Sequence, residues 1–421
     1  MKNSRLRAIA FALTTLFASG SSWLFADGPQ QLAGVTPDAE WNAVFDRTEG
    51  WTGADCAGSV DLGDGRTLWM FGDTWISKIR DGKRLPGATM VNNSIAVHTT
   101  DKAASWRPPD PRNVQFAWGP SGKDGKPTAW SVPPAIAGDA ASDQDWLWCN
   151  GGGVVGVTRD GKGRRLIVFF FRVRRNPHGK GVWNFTTVGT SFAVIDNVGD
   201  PPERWRPKIY DMPRIRAGIY AAREKRLRPF SDDCEFLWGM SASRERSVSD
   251  QAGHVRVFGT LQKGPLDTSL VMARAASATI DLFDFDFFDR TEWKHAFESF
   301  ARPLAASLVS EFSVEEMDNG GKSTWVLIQS EPLLGKRIFV RTAPRPEGPW
   351  SAPRPIFSIP EVAKNRAYFT YAAKGHASLS RPGELLVTYL VNSQNFGDLV
   401  TDTTIYRPKF LRVPAAVVFG K

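Results

Sequence analysis

Five times along the chain, a stretch of small or polar residues leads into a strand-like run, and a second such run follows. The leads are Gly53-Ala-Asp-Cys-Ala-Gly-Ser-Val, Trp148-Cys-Asn-Gly-Gly-Gly-Val-Val, Asp232-Asp-Cys-Glu-Phe-Leu-Trp-Gly, Leu308-Val-Ser-Glu-Phe-Ser-Val and Tyr371-Ala-Ala-Lys-Gly-His-Ala-Ser-Leu. Second runs occupy residues 67–71, 165–171, 254–260, 324–329 and 384–390, and outer runs follow at 94–98, 191–195, 270–273 and 337–341. Gly, Pro, Asp and Asn punctuate these runs, and few long segments keep an apolar period of 3.6. Such a repeat constrains the fold strongly, because one unit cannot bury its faces alone and must stack on its neighbours. Four strands per unit, repeated five times, predict an all-β chain: a five-bladed β-propeller with four-stranded antiparallel blades around a central channel. It should fill residues 27–421 as one domain. Its innermost strands are expected to begin near Asp55, Asn150, Cys234, Glu311 and His376, and Gly151-Gly-Gly153 reads as close backbone approach around the channel.

Strand starts at one face converge over the channel, so Asp55, Asn150, Asp233, Glu235, Glu311 and His376 are predicted to share a pocket. The first unit adds a further residue. Its hairpin turns at Asp64-Gly65, and Asp55 lies nine residues before that turn while Asp73 lies eight after it. The two aspartates should therefore face each other within one residue. Opposed carboxylates about 5 Å apart repel, so a hairpin with no use for them would carry Thr or Val instead. Two close carboxyl groups suit glycosidic bond hydrolysis, since like charge drives their pKa values apart and makes an acid and a base or nucleophile from identical side chains. The expected pair is Asp55 and Asp73, with Glu235 as the reserve acid. Structural duties are the competing reading: Asp73 capping its turn, Asp55 accepting backbone N–H groups. Trp51, Trp75 and Trp148, from sixteen tryptophans in all, are expected beside the pocket as sugar platforms. Asn93, Asn150, Asp233, Glu311 and His376 are expected as polar contacts to substrate. His376 also raises a structural calcium in the channel, although no cofactor is required.

The run Trp51-Thr-Gly-Ala-Asp-Cys-Ala-Gly-Ser-Val, with Asp64-Gly-Arg-Thr-Leu-Trp-Met-Phe-Gly-Asp-Thr-Trp75 and Asn92-Asn-Ser-Ile-Ala-Val, resembles bacterial secreted propellers catalogued as domains of unknown function. Some relatives of that family are endo-D-arabinanase glycoside hydrolases of five-bladed form. Tyr371-Ala-Ala-Lys-Gly-His-Ala, Val391-Asn-Ser and Ile405-Tyr-Arg-Pro-Lys-Phe resemble its last blade, and Glu347-Gly-Pro-Trp an outer-strand signature of furanosidase propellers. The resemblance implies catalytic aspartates at the Gly-Ala-Asp and Phe-Gly-Asp positions, which are Asp55 and Asp73 here. It also implies a third-blade glutamate as acid, which Glu235 matches, and an arabinan-like polysaccharide as substrate. The same cleft without turnover would make a glycan-binding propeller, the alternative from another class. A sialidase-like site should bring an arginine triad and several Asp-boxes, whereas residues 99–106 hold one degenerate box.

Lys2, Arg5 and Arg7 precede an apolar run at residues 8–17 and small residues ending near Ala26, the layout of a secretory leader. That run is short of the ~20 residues a membrane span needs, so the mature protein is expected to be secreted or periplasmic. The net charge of +9 comes from scattered cations, and no nucleic-acid module is recognisable. Cys56, Cys149 and Cys234 are an odd set with no zinc-site spacing, and they are expected to be buried packing residues. A monomer acting on a polysaccharide or oligosaccharide is the expected form.

Overall fold

The computed structural model describes residues 34–99, 107–136, 138–179, 181, 184–212, 235–245, 253–264, 267–295 and 302–421. The leader, residues 100–106 of the degenerate box, Asp233 and Cys234 lie outside the described residues. Antiparallel strands dominate, and the longest described helix, Ala39–Phe45, has seven residues.

Four strands, Gly58–Asp61, Arg66–Phe71, Ser94–Thr99 and Gln115–Ala117, form the first sheet in that order. Trp146–Val157, Arg164–Arg175, Phe185–Ile195 and Lys208–Asp211 form the second. The third runs Glu235–Arg244, His254–Gly264, Asp267–Ala276, Asp286–Phe288 and Trp293–His295, with Ala305–Ala306 added on Asp267–Ala276. Phe312–Asp318, Ser323–Ser330, Arg337–Ala343 and Arg354–Ser358 make the fourth. The fifth takes Tyr368–Gly375, Glu384–Ser393 and Lys409–Pro414 from the end of the chain and its outer strand, Thr36–Pro37, from the beginning. That closing strand is two residues long and carries no periodic signal. Asp38 secures it: its N–H donates to Phe410 O, and its carboxylate pairs with Arg412 at 2.6 Å and caps the helix at Trp41 N.

Period-two alternation lets each second strand feed two cores. Leu166, Val168 and Phe170 enter the cluster between the first and second sheets, while Ile167 and Phe169 enter the one between the second and third. In the fourth sheet Leu327 packs toward the third and Val326 and Ile328 toward the fifth. The circuit ends with Leu386 and Phe410 of the fifth sheet packed on Trp69 and Phe71 of the first, under Trp41 and Phe45 of the helix. Burying each such side chain contributes about 1.5–3 kcal/mol, so the continuous apolar runs are explained by burial on both faces.

The inner strands meet at backbone distance. A side chain on Gly152 would strike Gly239 O at 1.9 Å, and one on Gly58 would strike Gly151 O at 2.4 Å. Bulges recur at this level: the register slips between Cys149 and Gly153, between Trp238 and Ser241, and between Tyr371 and Lys374. Trp238 stands just before the third sheet's bulge as Cys149 stands before the second's, and that sheet's inner strand starts at Glu235, beside the expected Cys234. One expected strand start is corrected. The fifth inner strand begins at Tyr368, and His376 follows its far end, because the bulge and not the histidine marks the level of the pocket.

Candidate active site

The opening hairpin divides. Gly58↔Met70 belongs to the first sheet, but Ala54↔Thr74 belongs to a small separate sheet of Glu49–Ala54 and Thr74–Arg80, joined by Lys83–Arg84 and Thr89–Val91. Two consecutive left-handed residues, Cys56 (φ 72°) and Ala57 (φ 52°), turn the chain between the two sheets. Asp55 and Asp73 occupy this division and still face each other: Asp55 N–H donates to Asp73 O, and Gly72 N–H to Asp55 O, both at 3.2 Å. Neither sheet covers the pair completely, so both aspartates remain half-buried and reach solvent.

Asp55 Oδ2 accepts from the hydroxyls of Tyr371 (2.7 Å) and Tyr406 (3.1 Å), and Asn392 Nδ2 donates in turn to the Tyr371 oxygen at 3.2 Å. Asp55 Oδ1 lies against the bare Cα of Gly72, where a side chain would meet it at 2.3 Å. Asp73 Oδ1 accepts from Trp148 Nε1 at 2.6 Å and Asn92 Nδ2 at 3.3 Å. Both partners can only donate there, so a proton on Asp73 resides on Oδ2. Desolvation raises the Asp55 carboxyl to about 6 against the opposing pull of the two tyrosine hydroxyls, the Asp73 backbone and Lys374. Asp73 is raised further, to about 8, by desolvation and then by the charge of Asp55. Burial lifts Glu311 to about 7 while Lys374 opposes it.

The structure brings together four residues expected from sequence: Asp55, Asp73, Trp148 and Glu311. The strand carrying Glu235 starts at that residue, and Asp233 lies outside the described residues. Five expected contacts are corrected by burial. Trp51 is 1% exposed and stacked on Phe116, and Trp75 is 4% exposed beneath the Arg84 guanidinium, so neither offers a ring face to a sugar. Asn93 spends its amide on Ser131 and Leu147 backbone groups. Asn150 does the same with Trp238 O and Gly152 N. His376 is buried between Ser59 Oγ and Thr388 Oγ1, and burial depresses it to about 3, so it is a neutral packing residue. Cys56 and Cys149 are free and buried. Among the described residues no group of three or more His, Cys, Asp and Glu is placed to hold a metal ion.

Asn92, Tyr371, Lys374 and Tyr406 were not singled out from sequence as site residues. Three of them stand in the C-terminal runs already noted, where the bulge after Tyr371 was the missing signal: it turns a core-like tyrosine toward the aspartates.

Fold and site together define a class: an all-β protein of antiparallel sheets with carboxyl groups raised by desolvation, Asp55, Asp73 and Glu311, set just beyond strand ends. The chain belongs to the family described as a domain of unknown function (DUF5005), whose model matches residues 38–415. No curated protein matches it. Among solved structures, a "putative hydrolase" of Bacteroides ovatus ATCC 8483 is similar over 90% of both chains at 18% identity, with a TM-score of 0.62, a likeness of fold. The α-L-arabinofuranosidase PaAbf62A of Podospora anserina aligns over 87% of this chain and 92% of its own at 10% identity and TM-score 0.40. The catalytic domain of a Coprinopsis cinerea GH62 α-L-arabinofuranosidase aligns over 92% and 95% at 11% identity and TM-score 0.39.

Proposed function

We propose that this protein is a secreted glycoside hydrolase acting on a furanoside polysaccharide of arabinan type, and that its five sheets are the blades of one propeller. The observation that carries the reading is the Asp55–Asp73 pair: opposed across a divided hairpin, half-buried, and given different hydrogen-bond partners, two tyrosine hydroxyls on one carboxyl and an indole and an amide N–H on the other. Asp73, protonated on Oδ2 near neutrality, donates its proton to the leaving oxygen as the glycosidic bond breaks. Asp55, ionised and steadied by two tyrosine hydroxyls, either takes a proton from the attacking water or attacks the anomeric carbon itself; the anomer released first decides between the two. Trp148 fixes the acid through its indole N–H, and its ring is partly exposed beside the pair. The reaction so written draws on the chain's own carboxyl groups, with the protein acting as a monomer after residues 1–26 direct its export.

The test is a panel of arabinans, other furanosides and acidic polysaccharides, followed by Asp55→Asn and Asp73→Asn on the best substrate. Turnover should fall by orders of magnitude in both variants with binding retained. Retained turnover in both ends the hydrolytic pair, and binding of the panel without turnover by the parent protein makes it a glycan-binding module.

A further inference from the structure

Phe396 is 48% exposed, the one aromatic among the exposed large apolar side chains of the described residues. It stands in the loop that follows the fifth sheet's second strand, Glu384–Ser393, where residues 394–397 are all exposed. The loop is tied down at both ends. Ser393 Oγ donates to Asp398 Oδ2 at 2.6 Å and accepts from Asn395 N–H at 3.0 Å, while the Asn395 amide donates to Asp398 Oδ1 at 2.8 Å and accepts from Gly397 N–H at 3.2 Å. Arg84 holds the far side through Leu399 O. The Phe396 ring lies 5.6 Å from the Trp75 ring at 42°, and about half of its own surface is left to solvent. A side chain wanted only for packing would be turned inward, because apolar surface left in water forgoes the gain of burial.

Two runs of contacts join Phe396 to the aspartates. Trp75 pairs with Gly53 and Thr74 with Ala54, so the Asp55–Asp73 contact is two steps along the same ladder, about 7 Å away at the backbone. On the fifth sheet, Asn392, four residues before Phe396, donates to the Tyr371 hydroxyl, which donates to Asp55. The other flank of the pair is aromatic too. Trp148 of the second sheet donates to Asp73 at 2.6 Å, its ring is partly exposed, and Phe185 stands edge-on to it at 4.6 Å. The first sheet packs between the second and the fifth, so the aspartates have a solvent-reaching ring on each side.

Resting on the hydrolase reading, we propose that Phe396 is a substrate-binding residue, the platform of a second sugar subsite on the fifth-sheet side of the pair: a glycan chain lying across the aspartates is held by Trp148 on one side of the bond to be cleaved and by Phe396 on the other. A flat apolar ring can cover the C–H face of a sugar without stranding a hydroxyl. The loop tip, Gln394-Asn-Phe-Gly397, carries no charge, which suits a neutral polysaccharide better than an acidic one.

The test is chain length. The parent should favour a hexasaccharide of linear arabinan over the disaccharide, because only the longer chain spans both rings. Phe396→Ala should cut that preference in kcat/KM about tenfold, mainly through KM, and Phe396→Tyr, which keeps the flat ring, should restore it. Shielding of Trp75 alone would weaken both substrates alike, so an undiminished preference in Phe396→Ala overturns the proposal. Dissociation constants from calorimetry read the same ratio without turnover. Binding without hydrolysis refutes the hydrolase reading and leaves this test standing, whereas a parent that binds neither oligosaccharide overturns the proposal. If Phe396→Ala does not fold, Phe396→Leu decides alone, since it stays apolar but loses the flat face: a parent-like preference overturns the proposal.

Discussion

Gly72→Ala tests the geometry of the pair while leaving every carboxyl group in place. Gly72 has no left-handed backbone requirement, so the new methyl acts through contact alone. It would begin 2.3 Å from Asp55 Oδ1, whereas carbon–oxygen contacts ordinarily settle near 3.3–3.6 Å, roughly 1 Å farther out. A retreat of that size takes Asp55 Oδ2 away from Tyr371, now at 2.7 Å, and out of hydrogen-bond range. Losing one hydrogen bond to a charged group is worth about 1.5–3 kcal/mol, and a misplacement of about 1 Å at a reacting centre lowers the rate about 100-fold. On the best substrate kcat/KM should fall by about that factor. The acid limb should rise in pH, because the hydroxyls that favour the charged form are lost. Gly199→Ala, which meets no atom within 4 Å, is the control. Parent-like kcat/KM and an unmoved acid limb in Gly72→Ala would refute the argument that Asp55 must lie against a bare backbone to work.

Asp73 gives a stability prediction with a definite sign. Its folded value of about 8 lies far above the ordinary aspartate value of about 4, so folding favours the protonated form, and the associated stability is present at low pH and lost as pH rises toward 8. Asp73→Asn, neutral throughout, should lose turnover yet melt higher than the parent at pH 9, with the gap closing near pH 4; a variant melting lower at pH 9 would contradict this. Trp148→Phe removes a donor that favours ionised Asp73, so the basic limb of the rate profile should move to higher pH while kcat falls, and an unmoved limb counts against Asp73 as the acid. Asp38→Ala removes the helix cap and the buried partner of Arg412, which keeps its pair with Glu40, and denaturant unfolding should show a loss of about 1–2 kcal/mol; no measurable loss would mean the closing strand is held by other contacts.

Much of the architecture was legible because each second strand is buried on both faces and reads as an unbroken apolar run: residues 165–171, 324–329 and 384–390 all fall within observed strands. The opposition of Asp55 and Asp73 followed from counting out from one turn. What sequence concealed was set by bulges and by chain ends. A bulge adds residues without altering composition, so His376 was assigned to the pocket in place of Tyr371 and Lys374. Tryptophan density misled for a different reason. Trp51 and Trp75 flank the aspartates in sequence, but the aspartates lie just outside the strands that carry them, and the register slips between Trp51 and Gly53, so Trp51 packs into the core shared with Phe45 and Phe116 and Trp75 lies under Arg84.

The pairing of Thr36 with Arg412 has a kinetic consequence. It is the most distant strand pairing in sequence among the described residues. Loop-closure entropy grows only with the logarithm of the intervening length, so the equilibrium penalty is mild, but the event cannot precede synthesis of residue 412. Until then the early strand has no partner, and afterwards Lys409–Pro414 presents a bare edge, open to pairing with another chain, until residues 36–37 dock on it. The last step of folding is thus a race between an intramolecular zipper two residues long and association between chains. Refolding yield should depend on protein concentration more steeply than the stability of the finished molecule would suggest.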